Sequence, residues 1–294
     1  MRNIKIGIMI VVALCVSVVA WAEKRLYKMP NVSDLQIEQG DKADYLAVNY
    51  WKHFNIANDK MVAEDVAEQN FVNFLAILPY TNKKEEAMEK MCEAVVVNKD
   101  MMLCVMDLTG KYLNETESPF CDEDMYIMAL EKFIASPNVP AEEKERLKYN
   151  RNMAMKNRVG EKAANFGYVT KSGRRGTLYS VKGDYILVYF NDPACEECKM
   201  MKSELEASQI INNAVTEGKL KILAVSVDGK KDEWTKVSVP VKWIDACDDK
   251  NVIAGRELYD IPSLPVLYLL DRSCRVVQKN TNIAKVEEKL GEIK

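Results

Sequence analysis

Tyr185-Ile186-Leu187-Val188-Tyr189-Phe190, followed by Asn191-Asp192-Pro193-Ala194 and then Cys195-Glu196-Glu197-Cys198-Lys199, carries more information than any other part of this chain. The first six residues are apolar and β-rich, the pattern of a buried strand. From Lys199 to Val215 polar and apolar residues mix as in a helix. The C-x-x-C pair therefore falls where a strand turns into a helix. A helix N-terminus favours a thiolate over a thiol, so this placement suits dithiol–disulfide exchange.

Downstream, strand-like and helix-like runs alternate. Leu220 to Val227 reads as a second core strand, Lys230 to Val237 as a short helix and Val241 to Asp245 as a short edge strand. Lys250 to Tyr259 reads as a further helix. Pro265 to Asp271 and Arg275 to Lys279 read as a hairpin turning through Arg272-Ser273-Cys274. A last helix spans about Ile283 to Ile293. Parallel βα units followed by a hairpin and a helix predict an α/β sandwich with a mixed sheet and flanking helices over residues 159–294.

Residues 29–158 read as an all-α domain instead. Helices are predicted over Asp41 to Asn55, Met61 to Leu78 (stopped by Pro79), Lys83 to Val97 and about Asp100 to Leu113. Two more follow, over Cys121 to Ala135 and from Pro140 to about Arg158. The last has proline and acids in its first turn. No internal repeat and no catalytic motif stands out here. Tyr45, Tyr50, Trp51, Phe54, Phe71 and Phe74 read as core rather than as a ligand site.

The start of the chain has a basic Met1-Arg2-Asn3-Ile4-Lys5, then an apolar or small run to Ala22 ending Ala20-Trp21-Ala22. This pattern predicts a secretory signal over residues 1–22, cleaved near Ala22, and a periplasmic or otherwise extracytoplasmic protein. An uncleaved membrane anchor is the first rival reading. A lipoprotein acylated at Cys15 is the second, and it ranks last because Leu14 stands where a small residue belongs. Loss of Arg2 and Lys5 would move the net charge from −3 to −5. A mildly acidic chain without a long basic run argues against nucleic-acid partners.

C-x-x-C is also half of many zinc sites, but the other half is missing. There is no second C-x-x-C, and the one histidine, His53, lies far away in sequence with no partner to form a dyad. His53 reads as a packing or surface residue. No metal and no cofactor are expected. Cys92, Cys104, Cys121, Cys247 and Cys274 are odd in number and repeat no motif, so most are read as buried small hydrophobes rather than disulfide partners.

On these residues the second half resembles the thioredoxin fold: YILVYFNDPACEECK, the later YDIPSLPVLYLLD and the closing helix. The segment VGEKAANFGYVTKSGRRGTLYSVKGDYILVYF, with KILAVSVDGKKDEW, is similar to the TlpA-like branch of secreted bacterial thioredoxins. The resemblance covers about residues 159–294. The helical half is similar to an N-terminal region attached to such domains, with no assigned activity. The resemblance implies a cis-proline at Pro265 facing the C-x-x-C, with Leu264 offering backbone groups to a bound substrate. It also implies a thiol-disulfide oxidoreductase in which Cys195 is the nucleophile and Cys198 resolves the mixed disulfide. Partners would be a protein disulfide substrate and a membrane thiol electron donor.

The chain departs from that family in its details. Ala194 stands where a tryptophan is usual, and no proline separates the cysteines. Tyr189 stands where thioredoxins bury an aspartate, and Met201 where some TlpA-like proteins carry a glutamate. No buried carboxylate is identifiable by position. Lys199 and the helix N-terminus favour a thiolate at the C-x-x-C, whereas Glu196 and Glu197 oppose it. The balance predicts a reductase or isomerase rather than a strong oxidase. The alternative is a redox-inactive thioredoxin-like scaffold whose helical domain recognises a partner. A single peroxidatic cysteine in a threonine/proline loop is not present, which disfavours a peroxidase.

Overall fold

The computed structural model describes residue 30 and residues 39–53, 64–227 and 231–292. The predicted signal segment and the side chain of His53 lie outside the described residues. The chain divides into two compact units. One runs up to Lys111 and takes in Ala135–Val139; the other comprises Tyr112–Ile134 and Pro140–Lys294.

The first unit is helical. Its helices are α1 (Gln39–Asn49), α2 (Glu64–Ile77), α3 (Lys84–Val95) and α4 (Lys99–Thr109). Asn98 caps α4, its side chain accepting the Met101 amide at 3.0 Å. Tyr50, Trp51, Phe71 and Phe74 are fully buried, and Tyr50, Trp51 and Phe74 meet edge-on or tilted with centroids 5.6–5.7 Å apart. These aromatics form a core, as their spacing predicts. Tyr45 is exposed instead, and Phe54 lies outside the described residues.

The second unit begins with α5 (Glu123–Ala135) and α6 (Ala141–Ala154). The sequence boundary at 158/159 assigns both helices to the all-α half, whereas their contacts group them with the sheet. Lys279 shows how α5 is tied in. Its ammonium, 5% exposed, contacts Glu123 and the Ala154 carbonyl oxygen at 2.6 Å each. A buried lysine needs such partners to offset its lost hydration.

Among the described residues seven strands form one mixed sheet in the order β2-β1-β5-β4-β3-β6-β7. They are β1 (Gly167–Thr170), β2 (Arg175–Thr177), β3 (Tyr185–Asn191), β4 (Leu220–Ser226), β5 (Ile244–Cys247), β6 (Val266–Asp271) and β7 (Val276–Thr281). β3, β4 and β5 run parallel; β6 pairs antiparallel with β3, and β7 with β6. Successive side chains of a strand face opposite ways. Accordingly Ile186, Val188 and Phe190 enter one core with Tyr259 and Tyr268. Leu187 and Tyr189 enter the other with Leu205, Ile211 and Val286. Both faces of β3 are covered, which is why the sequence reads as an unbroken apolar run.

Four readings shift. The long helix after the C-x-x-C is two helices, α7 (Glu196–Ala207) and α8 (Gln209–Thr216). Ser208 is extended (ψ 115°) and its hydroxyl caps α8 by accepting the Ile211 amide at 3.1 Å. The expected helices further on shrink to single turns, α9 (Lys231–Trp234) and α10 (Val252–Gly255). β5 is not at the edge, because the β1–β2 hairpin pairs outside it through Val169–Cys247 and Thr170–Ala246. The closing helix is α11 (Ile283–Gly291).

Candidate active site

β3 is flanked on both sides by paired strands, so its C-terminal end is fixed by ladders to β4 and β6. Asn191-Asp192-Pro193-Ala194 then turns the chain into α7. Asp192 organises that turn: its carboxylate accepts the Ala194 amide at 2.7 Å and its carbonyl the Cys195 amide at 3.1 Å. Cys195 is the N-cap of α7, with φ −78° and ψ 124°. Its Sγ does what a serine or aspartate oxygen does at this position, accepting the Cys198 backbone N–H at 3.1 Å. The half-exposed sulfur thus receives an amide that would otherwise lack an intrahelical partner.

Two acceptors also reach the Cys195 thiol. Glu197 Oε2 lies 3.5 Å from Sγ, and the Leu264 carbonyl oxygen 3.7 Å. The Leu264–Pro265 bond is cis. Leu264, Pro265 and the C-x-x-C are therefore brought together across 69 residues of sequence. Glu196 points elsewhere and pairs with Lys199 at 2.6 Å. That contact raises the Lys199 ammonium above its ordinary range. Of the two glutamates between the cysteines, only Glu197 contacts a reacting sulfur.

Cys198 sits one helical turn inward and is buried, 2% exposed. Burial, reinforced by its contact with Cys195, pushes its thiol up to about 12. The Asp192 backbone N–H points to its sulfur at 3.5 Å. Beneath it lies Tyr189, whose hydroxyl donates to the Cys198 carbonyl at 2.6 Å. Burial drives this phenol far above its ordinary range, so Tyr189 is a neutral strut rather than an acid–base group. Among the described cysteines none is bonded to another. Cys92, Cys247 and Cys274 are buried, Cys104 is half-buried and Cys121 is exposed; Cys121 thus departs from the buried reading.

Residues 183–276 match the family described as thioredoxin-like, and residues 13–157 match a domain of unknown function, DUF5106. A thioredoxin-like protein from Bacteroides caccae is 32% identical, with a TM-score of 0.81 over 92% of this chain and 100% of that one. The chain belongs to the thioredoxin-like family.

Two further solved structures each cover a little under half of this thioredoxin-like protein. The C-terminal domain of an uncharacterized Bacteroides fragilis protein is 39% identical, covering 46% of this chain and 98% of that one, with a TM-score of 0.45. The thioredoxin domain of a thiol-disulfide oxidoreductase from Bacteroides vulgatus is 22% identical, covering 46% and 96%, with a TM-score of 0.39. No curated protein matches.

Sequence reasoning did not single out Asp192 or Asp245, and it named Tyr189 only as a departure from the family's pattern. Asp192 orders the turn, Tyr189 braces Cys198, and Asp245 of β5 lines the pocket behind that cysteine. A polar residue inside Ile244-Asp245-Ala246-Cys247 is the signal that would have marked the last of these.

Proposed function

We propose that this thioredoxin-like protein is an extracytoplasmic thiol-disulfide oxidoreductase, acting as a reductase or isomerase through the Cys195/Cys198 couple. One observation carries the reading. A half-exposed thiol caps a helix with its own sulfur, faces the Leu264 carbonyl, and has a second, buried thiol one turn behind it. Cys195 as thiolate attacks a substrate disulfide; one substrate sulfur leaves with the bonding electrons, and a mixed disulfide forms. Cys198 then attacks Cys195 Sγ, releasing the second substrate sulfur as a thiol and leaving the Cys195–Cys198 disulfide. Two substrate thiols are gained and two protein thiols oxidised, so a donor must restore the dithiol. A membrane thiol protein is the donor class that fits a secreted location, and a protein disulfide is the substrate class that fits an open site at Leu264. The Glu197 carboxylate beside Cys195 supports a reducing rather than strongly oxidising couple.

Insulin reduction tests the reading. Wild-type protein should speed the precipitation of insulin B chain over dithiothreitol alone, and Cys195→Ser should not. Equal rates for both proteins would instead support a redox-inactive scaffold.

A further inference from the structure

The loop that carries Leu264 is short. Residues 261–265 alone separate Asp260 from the start of β6, so whatever holds Asp260 and its neighbours sets where the Leu264 carbonyl meets Cys195. Those neighbours are held from α6 and the turn that follows it. The Tyr149 hydroxyl donates to Glu257 Oε1 at 3.1 Å, and the Lys156 ammonium donates to the Glu257 carbonyl oxygen. Asn157 Nδ2 donates to the Leu258 carbonyl oxygen at 2.8 Å. From β6 the Tyr268 hydroxyl donates to the Asp260 carbonyl oxygen at 3.1 Å.

Asn157 closes a circuit. Its Oδ1 accepts the Ala164 amide at 2.6 Å, and the Ala164 carbonyl oxygen accepts the Tyr259 hydroxyl at 2.6 Å. One buried side-chain amide thus joins the turn after α6, the stretch before β1 and the stretch before the Leu264 loop. The backbone agrees with this reading. Asn157 and Glu257 are both left-handed, with φ 51° and 48°. Asparagine tolerates that conformation, whereas a glutamate seldom adopts it. Such a residue persists where its surroundings over-determine it, often at a functional site. Glu257 is tied by its carboxylate and by its carbonyl, the latter through a charge-assisted hydrogen bond.

Tyr149, Lys156 and Asn157 all belong to the DUF5106 match, which ends at residue 157. We propose that this end of the DUF5106 region is a positioning device for the redox site. It holds Glu257–Asp260 so that the Leu264 carbonyl stands beside Cys195, ready to pair with the backbone of a peptide that carries the substrate disulfide. The proposal rests on the Cys195/Leu264 reading given above. Tyr149, Lys156 and Asn157 act through the loop and not on the sulfurs, so they are positioning residues. A small electrophile has no peptide backbone to align and is indifferent to the clamp.

The test compares a peptide disulfide with a small electrophile on the full chain. The first readout is kcat and KM for insulin reduction. The second is the rate of Cys195 alkylation by iodoacetamide, followed by peptide mass spectrometry. Asn157→Gly keeps the left-handed backbone accessible and removes the bridging amide. The double variant Tyr149→Phe/Lys156→Met removes two ties to Glu257 at the surface. Each should raise KM for insulin about fivefold or more, with kcat and the alkylation rate within about twofold of wild type. Should Asn157→Gly lose the fold, the double variant decides alone. A KM within about twofold of wild type in the folded double variant overturns the clamp. So does a parallel fall in insulin reduction and in alkylation, which marks damage to the thiol or the fold rather than to the loop. Wild-type protein that reduces insulin no faster than Cys195→Ser would instead overturn the oxidoreductase reading beneath it.

Discussion

The front of this site and its back differ although their cysteines are three residues apart. In front, Cys195 caps a helix, is half-exposed, and meets a glutamate and a carbonyl. At the back, Cys198 is buried against Tyr189 and a small pocket. One turn of helix carries the chain from solvent to core, so identical side chains acquire opposite chemistry. The lesson is that the C-x-x-C motif specifies two thiols, whereas the surrounding strand ends decide which one attacks and which one waits.

Alkylation of the reduced native protein should expose the largest difference. Iodoacetamide should modify Cys195 at least ~100-fold faster than Cys198, read by peptide mass spectrometry, because thiolate character and access both favour the outer sulfur. Similar rates would break the comparison.

The pH dependence of stability sharpens it next. The Cys198 thiol is raised in the folded state to about 12, from an ordinary 9.0. Below pH about 9 both states hold the proton, and the buried thiol contributes its full stability. Above that pH the unfolded chain releases the proton first, so stability falls as pH rises towards 12. The slope is at most about 1.4 kcal/mol per pH unit. Urea midpoints of reduced wild type, measured against Cys198→Ala, should show this decline above pH 9 and none between pH 6 and 8.

A smaller effect concerns Glu197. Its carboxylate beside Cys195 should repel anionic reagents, at a cost of up to about 1 kcal/mol in a solvent-exposed setting. Glu197→Gln should therefore speed alkylation by iodoacetate about 2–5-fold relative to iodoacetamide, and added salt should narrow the gap. The smallest effect belongs to Glu196. Its contact with Lys199 is exposed and one turn long, and such solvated pairs add little to stability. Glu196→Ala should barely move the urea midpoint, and a large loss would mean that this pair holds the front of the site together.

Much of this comparison is legible in the sequence. Residues 185–190 are apolar on both faces because both faces of β3 are buried, and that alone announces a central strand. Leu264-Pro265 before a hairpin is equally plain. What escapes notice depends on pairing rather than pattern. β1 and β2 have four and three residues, too short for a clear alternation, so the strand order around β5 cannot be read. Without that order Asp245 is one more acid in a short strand. Ser208 escapes for another reason: the helix breaks there without proline or glycine, through one hydroxyl cap. The grouping of α5 and α6 with the sheet rests on contacts distant in sequence, such as Glu123 with Lys279.

The most direct test of the account is to trap its intermediate. Cys198→Ala protein is incubated with a disulfide-linked peptide pair, and the adduct is located by mass spectrometry under non-reducing conditions. The account predicts a stable peptide disulfide on Cys195. Adducts confined to Cys121, or none at all on Cys195, would contradict it.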